Sequence, residues 1–358
     1  MRISILIDSL NNGGAEKFAV ELCNSLSLEN SVSLIVKKRV NRENVPFQIL
    51  NDRVKLIELA NERKWSFAFV FELYRLLKSQ NPDVIHVHSS ILVIHIFFLP
   101  IFFPKTNFIQ TIHSQLTNAY KKNVRWLNRW RWIGIQWKNV VISKSILAEF
   151  QNFFPFEKFF LIENGVTAPN FPIDLKVHAR EKKKLVAVGN FSSIKRFDAL
   201  ADVMMMPEIR AKFDLDIVGE ERTANKPVTN YITNLNAQHI RLLGSRSDVQ
   251  RILYESDALV IWSSFEGMPL VVLEALSVGC PVIGSPVGGI PDILVNGKVG
   301  WLATSTDNIA LRDALLEFNY LNGENLMTMK ERCLESYHTR FSMNRCSASY
   351  CKLYSSSR

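Results

Sequence analysis

Two glutamates that flank a proline-containing turn are the densest chemical signal in this chain of 358 residues. Glu266 and Glu274 enclose seven residues, and Pro269 stands between them where a helix would begin, a position that proline favours. The neighbouring backbone N–H groups would face outward at a helix N-terminus, a ready site for an anion such as a diphosphate. These neighbours are Gly267, Met268 and Leu270.

Carboxylates beside an anion site need a ligand that also donates hydrogen bonds. Sugar and ribose hydroxyls are such donors, because one carboxylate accepts two of their hydrogen bonds and so orients the ring. The pattern therefore predicts a ligand that carries both phosphate and hydroxyl groups. The alternative is that Glu266 only caps the helix and that Glu274 lies on the surface.

Short β-branched runs alternate with helix-length amphipathic segments, and this alternation favours two parallel sheets covered by helices. Ligands of such sheets bind beyond the carboxyl ends of the strands. The predicted strands are Ile3–Ile7, Val32–Val36, Val84–His88, Phe108–Ile112, Val140–Ile142, Phe160–Ile162, Leu185–Gly189, Leu215–Val218, Ile240–Leu243, Ala258–Trp262 and Pro281–Ile283. Two prolines and a run of charged residues within 166–184 are typical of a linker.

Several motifs recur in an order and spacing that resembles the family-4 retaining glycosyltransferases of the GT-B fold. Beside the glutamate pair, they are Asn12-Gly-Gly-Ala-Glu16, Asn164-Gly-Val166, Val188-Gly-Asn-Phe-Ser-Ser-Ile-Lys-Arg196, Ile217-Val-Gly219, Leu243-Gly244, Gly288-Gly-Ile-Pro-Asp292 and Asn296-Gly-x-x-Gly300. The resemblance covers nearly the whole chain. It implies an α/β fold of two Rossmann-like domains that face a central cleft.

The resemblance also implies a division of labour along the chain. Residues 1–166 would form the acceptor-binding domain and residues 185–340 the domain that binds a nucleoside-diphosphate sugar, joined by a linker at 167–184. Residues 341–358 would form a helix that crosses back to the N-terminal domain.

Roles at the donor site follow from the same resemblance. Glu266 resembles the residue that contacts the transferred sugar, and Glu274 resembles the one that binds the ribose hydroxyls. Leu243 ends a strand where the family reads the base, largely through backbone. His113 ends the strand in Thr111-Ile-His-Ser114 and resembles a histidine that touches the donor sugar.

Phosphate contacts are expected from both halves of the chain. Lys195 would pair with the donor diphosphate, and Gly13 and Gly14 would let the backbone approach phosphate closely. Taken alone, a lysine is usually solvated, and two glycines after a strand can form a simple turn. Asn190 stands where the family often has arginine, so one contact departs from the pattern, and Arg196 is a candidate replacement.

The acceptor side of the site is less specific in sequence. Glu16 closes the glycine loop, and His88 shares one face of its strand with His86 and is nearer the strand end. His95 falls in an apolar run and reads as a core histidine. No cofactor and no metal are predicted, because Asp214-Leu-Asp216 precedes its strand at the end away from the site.

Charge is concentrated in the first half of the chain, where 21 basic and 13 acidic residues in 1–165 leave +8 of the net +9. A basic segment rich in tryptophan follows residue 119, and basic helices of this kind bind membrane interfaces. Its predicted acceptor or membrane residues are Lys121, Lys122, Arg125, Trp126, Arg129 and Trp130. A helix packed on its own sheet explains the pattern equally well; nucleic-acid binding is disfavoured.

Membrane spanning is not expected, because the most apolar run, Ile91–Phe103, is shorter than the roughly 20 residues that a spanning helix needs. We interpret it as a buried helix and loop. Five scattered cysteines without metal spacing suit a reducing cytoplasm. The expected location is cytoplasmic, extending to peripheral attachment at the inner face of the cell membrane.

The sequence thus predicts a retaining, metal-independent transfer of a sugar, from a UDP-sugar rather than a GDP-sugar, to a hydroxyl of a glycan or lipid-linked acceptor. Bacterial cell-surface polysaccharide synthesis is the expected setting. The alternatives are a sugar-nucleotide epimerase on the same fold and a non-catalytic sugar-nucleotide-binding protein. The presence of Glu266, Glu274 and Lys195 argues against the second, whereas Asn190 favours it.

Overall fold

The computed structural model divides the chain into two compact units. Unit 1 comprises Met1–Gly165 and Met343–Arg358, and unit 2 comprises Val166–Ser342. The structure describes residues 1–63, 66–114, 137–155, 157–221, 223–295 and 297–356.

Unit 1 contains a seven-stranded parallel sheet in the order β3-β2-β1-β4-β5-β6-β7. Its central strands are almost continuous runs of buried Ile, Leu and Val, as expected where helices cover both faces. The strands are β1 (Arg2–Ile7), β2 (Ser31–Val36), β3 (Lys55–Glu58), β4 (Val84–Val87), β5 (Asn107–Ile112), β6 (Trp137–Val141) and β7 (Phe159–Leu161).

Helices follow most strands of unit 1, and serine caps begin several of them. Ser66 and Ser143 each accept a hydrogen bond from a backbone N–H three residues later, which satisfies one of the free donors of the first turn. The helices are α1 (Gly14–Leu26), α2 (Val45–Gln48), α3 (Phe67–Gln80), α4 (Ser90–His95), α5 (Leu99–Phe102) and α6 (Lys144–Phe153).

Unit 2 contains a six-stranded parallel sheet in the order β10-β9-β8-β11-β12-β13. Its strands are β8 (Lys183–Val188), β9 (Phe213–Val218), β10 (Ile240–Gly244), β11 (Ala258–Ile261), β12 (Val282–Gly284) and β13 (Gly300–Leu302). Its helices are α7 (Phe197–Met204), α8 (Pro207–Arg210), α9 (Pro227–Asn234), α10 (Val249–Tyr254), α11 (Leu270–Ser277), α12 (Ile290–Ile293), α13 (Asn308–Asn319) and α14 (Gly323–Ser336). Short 3-10 and π-helical turns occur at Ser193–Lys195 and Tyr337–Phe341.

The last helix, α15 (Met343–Ser355), belongs to unit 1. It packs along α1, where Ser25 Oγ donates to Ser347 Oγ over 2.8 Å. Tyr350 and Tyr354 are buried on the same side of α15, four residues apart. Tyrosines at this spacing lie one turn above each other, so both reach the sheet.

The predicted α/β class with two Rossmann-like parallel sheets is confirmed. Each of the eleven predicted strands overlaps an observed one, whereas β3 and β13 were not predicted. Both are edge strands of only four and three residues. Such short strands carry too little hydrophobic periodicity to be recognised alone, and only pairing with β2 and β12 makes them strands.

The prediction that Ile91–Phe103 is buried is confirmed only in part. Phe98, Ile101 and Phe102 are mostly exposed, whereas the core includes Leu92, Ile96, Leu99 and Phe103. The run breaks into α4 and α5, and α5 buries Leu99 while it exposes Ile101 and Phe102. In the described ranges, no helix combines the length and apolarity that a membrane crossing requires.

Candidate functional site

Predicted donor residues of unit 2 follow neighbouring strands and therefore share one edge of the sheet. The N–H of Gly189 donates to Val218 O over 2.9 Å, and the N–H of Gly219 donates to Gly244 O over 2.8 Å. A Cβ on Gly219 would overlap the carbonyl of Gly189. Glycine at this position therefore lets the ends of β8 and β9 approach closely.

Lys195 and Glu266 form an ion pair at this edge. Lys195 lies in the 3-10 turn after β8, and its Nζ donates to Glu266 Oε1 over 2.5 Å. Ser263 Oγ donates to the same oxygen over 2.6 Å. The N–H of Ser264 donates to Ile194 O over 2.8 Å, which ties the two loops together. Two residues that are 71 positions apart are thus brought into direct contact.

A turn that contains Gly288 and Gly289 contacts the backbone of Glu266. The N–H of Gly289 donates to Glu266 O over 3.0 Å. Gly288 has a φ of +54°, and a Cβ there would overlap the Glu266 carbonyl oxygen. Only glycine combines this left-handed conformation with this close approach. The carboxylate of Glu266 is consequently held both through its backbone and through Ser263.

Glu274 lies one turn inside α11, which begins at Leu270 with Pro269 as its N-cap residue. Its side chain is only 4% exposed, although most of the other residues of α11 are apolar. The alternative in which Glu274 is a surface residue is therefore wrong. Gly267 is half-buried and Met268 is buried at the turn that leads into this helix.

The remaining donor-site predictions fall at the same edge but differ in their contacts. Arg196 Nη1 donates to Thr306 O over 2.6 Å, and its guanidinium lies 5.7 Å from the centre of the Trp262 ring. This arginine is thus engaged by unit 2 itself. Asn190 is exposed at the end of β8, and Leu243 is half-buried near the end of β10.

In unit 1, the glycine loop joins β1 to α1. Gly13 is the N-cap residue of α1 and has extended backbone, while Gly14 is the first helical residue and is exposed. The Asn12 side chain accepts from the N–H of Val45 over 2.9 Å, which holds the loop against the next segment. Glu16 is half-buried in the first turn of α1.

Three histidines meet at the carboxyl ends of β4 and β5. His88 Nδ1 lies 2.9 Å from His113 Nε2, and the His86 and His88 rings are 4.1 Å apart at their centres. The Phe18 ring of α1 packs on both His88 and His113. His88 is buried, whereas His113 is half-buried, and the acceptor role predicted for His88 stays a prediction.

Burial keeps these histidines neutral. Desolvation lowers the pKa of His86 to about 3 and that of His113 to about 4, and it holds the pKa of His88 well below its ordinary value. The proximity of the three rings adds to the effect on His86 and His88, because a second positive charge would be repelled.

A second layer of polar residues lies behind the histidines and was not predicted. His86 Nδ1 is 2.7 Å from Tyr354 Oη, and His86 Nε2 is 2.7 Å from Thr111 Oγ1. Thr111 Oγ1 is in turn 2.9 Å from Tyr350 Oη. The spacing of the two tyrosines on α15 was a usable signal, but only the fold brings them to β4 and β5.

The predicted basic segment with Lys121, Lys122, Arg125, Trp126, Arg129 and Trp130 lies outside the described residues. Within the described ranges, no three His, Cys, Asp or Glu side chains cluster as a metal site would require. Asp216 is instead engaged by Arg241 Nε over 2.7 Å and by Lys184 Nζ over 3.1 Å.

Two family models match consecutive parts of the chain. "Glycosyltransferase Family 4" matches residues 12–168, and "Glycosyl transferases group 1" matches residues 182–318. The two ranges fall on unit 1 and unit 2.

Curated relatives are similar over most of the chain. N-acetyl-alpha-D-glucosaminyl L-malate synthase of Bacillus anthracis is 25% identical over 306 residues, which cover 81% of this chain and 79% of that protein. UDP-Gal:alpha-D-GlcNAc-diphosphoundecaprenol alpha-1,3-galactosyltransferase of Escherichia coli is 28% identical over 268 residues, which cover 69% of each.

Solved structures share the fold at low identity. Alr3699/HepE of Anabaena, in complex with UDP and glucose, has a TM-score of 0.79 at 16% identity and covers 99% of both chains. A glycosyltransferase of Rickettsia africae has a TM-score of 0.80 at 17% identity and covers 99% of this chain and 97% of its own. With both family models matched in order, the chain belongs to the group 1 and family 4 glycosyltransferases of the GT-B fold.

Proposed function

We propose that this glycosyltransferase moves a sugar from a nucleoside-diphosphate sugar, with UDP favoured over GDP, to a hydroxyl of a glycan or lipid-linked acceptor. Unit 2 would bind the donor and unit 1 the acceptor. The ion pair between Lys195 and Glu266 is the observation that carries the donor assignment. It holds a cation for diphosphate and a carboxylate for sugar hydroxyls at the sheet edge where ligands of parallel sheets bind.

The ion pair also suggests how the site responds to its ligand. In the structure the ammonium of Lys195 is neutralised by one carboxylate. A diphosphate carries more negative charge, so it would draw Lys195 toward itself and free Glu266 Oε1 to accept from a sugar hydroxyl. Ser263 and Gly289 would keep Glu266 in place during this exchange, because neither of their bonds involves Lys195. The lysine would then stabilise the leaving diphosphate.

Retention of anomeric configuration and independence from metal are carried over from the family resemblance. A double displacement needs a free carboxylate beside the anomeric carbon. The hydrogen bond from Ser263 Oγ to Glu266 Oε1 would remain when Lys195 moves to the diphosphate, which favours a binding role for Glu266 over nucleophilic attack. Transfer from an α-linked donor should therefore give an α-linked product by nuclear magnetic resonance, with activity unchanged by a chelator.

Two relatives support an anionic acceptor. One is named as a synthase of a glucosaminyl L-malate and another as a galactosyltransferase on a diphosphoundecaprenol-linked sugar. The second name describes a lipid-linked acceptor of the kind expected here. Together with relatives named for colanic acid and amylovoran biosynthesis, these names favour a role in bacterial surface polysaccharide synthesis.

An exposed apolar patch on unit 1 supports attachment to a membrane that carries such an acceptor. The patch consists of Phe67, Phe71, Phe98, Ile101 and Phe102, each between 61% and 95% exposed. The Tyr74 ring of α3 packs on Phe102 at 5.7 Å between ring centres, so α3 and α5 form one surface. Contiguous exposed apolar surface of this kind marks interaction sites.

Basic residues surround the apolar patch. Arg75 and Lys78 are exposed on α3, and the exposed Lys105 follows α5, whereas Glu72 is an exposed acidic residue of α3. Aromatic side chains flanked by cations suit the interface of an anionic bilayer. The patch would thus add to the membrane attachment that the sequence predicts for the basic segment after residue 119.

Nucleotide release from a panel of UDP-, GDP- and ADP-sugars tests the donor assignment. Lys195→Ala should weaken donor binding by about tenfold or more, because a charge-assisted contact to phosphate is lost. Lys182→Ala is the matched control, since Lys182 precedes the same strand at the opposite sheet edge and donates to Arg210 O. Absence of binding to every nucleotide-sugar, or equal effects of the two variants, would contradict the proposal.

Vesicle sedimentation tests the membrane assignment. The protein should bind phosphatidylglycerol vesicles, and high salt or the combined change of Phe67, Phe71 and Phe102 to serine should release it. Tyr320→Ser is the matched control, because it removes a 79% exposed aromatic ring from unit 2. Lack of binding to anionic vesicles, or release by the control variant, would refute the membrane role.

A further inference from the structure

A hydrogen bond joins His88 and His113 in unit 1, and its direction decides whether His113 can donate a hydrogen bond to a ligand or accept one from it. Only Nε2 of His113 faces His88, so Nδ1 is the ring nitrogen left for a ligand. His113 is half-buried, whereas His88 is 5% exposed. One proton lies between the two rings, because burial keeps the pKa values of both well below their ordinary range.

The other ring nitrogen of His88 indicates which histidine donates the hydrogen bond between His88 and His113. His88 Nε2 is buried and has no hydrogen-bond partner in the described part of the chain. If His113 donated, the His88 proton would have to sit on Nε2 as a buried N–H without an acceptor. Buried N–H groups without a partner are rarer in proteins than incompletely satisfied acceptors. The less costly arrangement places the His88 proton on Nδ1, where His113 Nε2 accepts it.

We infer that His88 is a positioning residue that fixes the tautomer of His113, so that His113 presents an Nδ1–H donor to a ligand oxygen. A neutral imidazole carries one N–H, and accepting a hydrogen bond at Nε2 forces that N–H to Nδ1. The ligand oxygen would belong to a sugar hydroxyl or a phosphate, and this part of the inference rests on the proposed function.

The layer behind His88 explains how its ring is kept in place. His86 packs on His88 at 4.1 Å between ring centres, and both nitrogens of His86 are engaged, by Tyr354 and Thr111. The Phe18 ring of α1 also packs on His88, at 5.7 Å between ring centres. The His88 ring is therefore held by contacts from α1 and from a layer that α15 completes, while its Nδ1 contacts His113.

Selective ¹⁵N-histidine labelling of the full chain, read by long-range ¹⁵N–¹H correlation, measures the tautomer without any substrate. In the wild type, His113 should be protonated at Nδ1, although free neutral histidine side chains prefer Nε2. In His88→Phe, which keeps an aromatic ring but no donor, His113 should return toward the Nε2 form. In His88→Asn, whose amide nitrogen lies near the position of Nδ1, the Nδ1–H form should be retained.

Once a nucleotide-sugar that the protein turns over is known, kcat provides a second test of the role of His88. His88→Phe should lower kcat by about tenfold with little change in thermal stability, and His88→Asn should restore most of it, as expected for loss of one hydrogen bond. An Nε2-protonated His113 in the wild type, or an unchanged tautomer in His88→Phe, overturns the inference. Because the wild-type spectrum needs no turnover, failure of the donor assignment and failure of this inference are distinguishable.

Discussion

One polar cluster in each unit shows a different way of holding polar side chains. In unit 1 the cluster consists of neutral rings and hydroxyls, with His86 bonded to Tyr354 and Thr111. In unit 2 the groups are charged and paired, as half-buried Lys195 is with Glu266 and buried Asp216 is with Arg241. Pairing matters in both, since an unpaired buried polar group costs free energy.

Under the proposed function, the difference reflects what each sheet edge would bind. A site for a diphosphate needs a fixed cation, and a carboxylate partner stabilises a partly buried cation while the ligand is absent. A cluster of neutral side chains cannot neutralise the charge of a phosphate. It can orient individual hydrogen bonds to a ligand without adding a net charge to the site. The two units should therefore differ in their response to acid, to loss of a charge and to loss of a hydroxyl.

Acid should produce the largest difference between the units. The pKa values of His86 and His113, about 3 and about 4 in the folded chain, lie below 6.5, so the unfolded chain binds more protons between these values. Stability of unit 1 is therefore complete above pH 6.5 and falls as the pH drops toward 4. At pH 5 the loss should be about 2 kcal/mol for each of the two groups.

Hydrogen exchange measured by mass spectrometry resolves the two units within one chain. Between pH 7 and pH 5, peptides from β4 and β5 should lose protection before peptides from β8 and β9. Earlier loss in unit 2 would show that neutral histidines do not limit the stability of unit 1.

A methyl group at Gly288 should produce the next largest effect. Gly288→Ala places a Cβ against the Glu266 carbonyl in a left-handed conformation, so unit 2 should lose about 3 kcal/mol or more of its unfolding free energy. Gly14→Ala in unit 1 meets open space and should change stability by less than about 1 kcal/mol. Denaturant unfolding measures both, and similar losses would contradict the assigned role of Gly288.

Removing one buried charge of unit 2 should cost more than removing one hydroxyl of unit 1. Asp216→Ala leaves Lys184 and Arg241 without their shared partner and should cost about 2 kcal/mol, because both cations can still reach solvent. Thermal unfolding of the variant measures this loss. A loss below about 0.5 kcal/mol would show that the charged pair is not a determinant of unit 2 stability.

The hydroxyl of Tyr354 should carry the smallest effect. Tyr354→Phe removes one hydrogen bond to His86 and keeps the ring, so unit 1 should lose about 1 kcal/mol. The variant also leaves His86 Nδ1 without its partner, which hydrogen exchange of α15 should detect. Unchanged exchange in α15 would mean that this bond does not hold the helix to the sheet.

Local signals in the sequence were sufficient for most of the sheet framework. Segments such as β1 and β9 are rich in apolar residues, mostly Ile, Leu and Val, so the chain segment itself reveals the strand. Edge strands such as β3 could not be found, because their pairing energy comes from a neighbour rather than from their own residues. The exposed residues of α5 were missed for a related reason: apolarity predicts burial but does not exclude an exposed patch.

By itself, the sequence determined the family and the α/β class, and it supplied candidate residues for a phosphate and a sugar, because these depend on motif order and on periodicity. The tertiary structure alone decided which side chains contact each other. It brought Lys195 to Glu266 across 71 positions, placed Gly288 against the backbone of that glutamate, and joined His88 to His113. These contacts arise where parallel strands end at one edge, and the spacing along a chain does not specify which strands become neighbours.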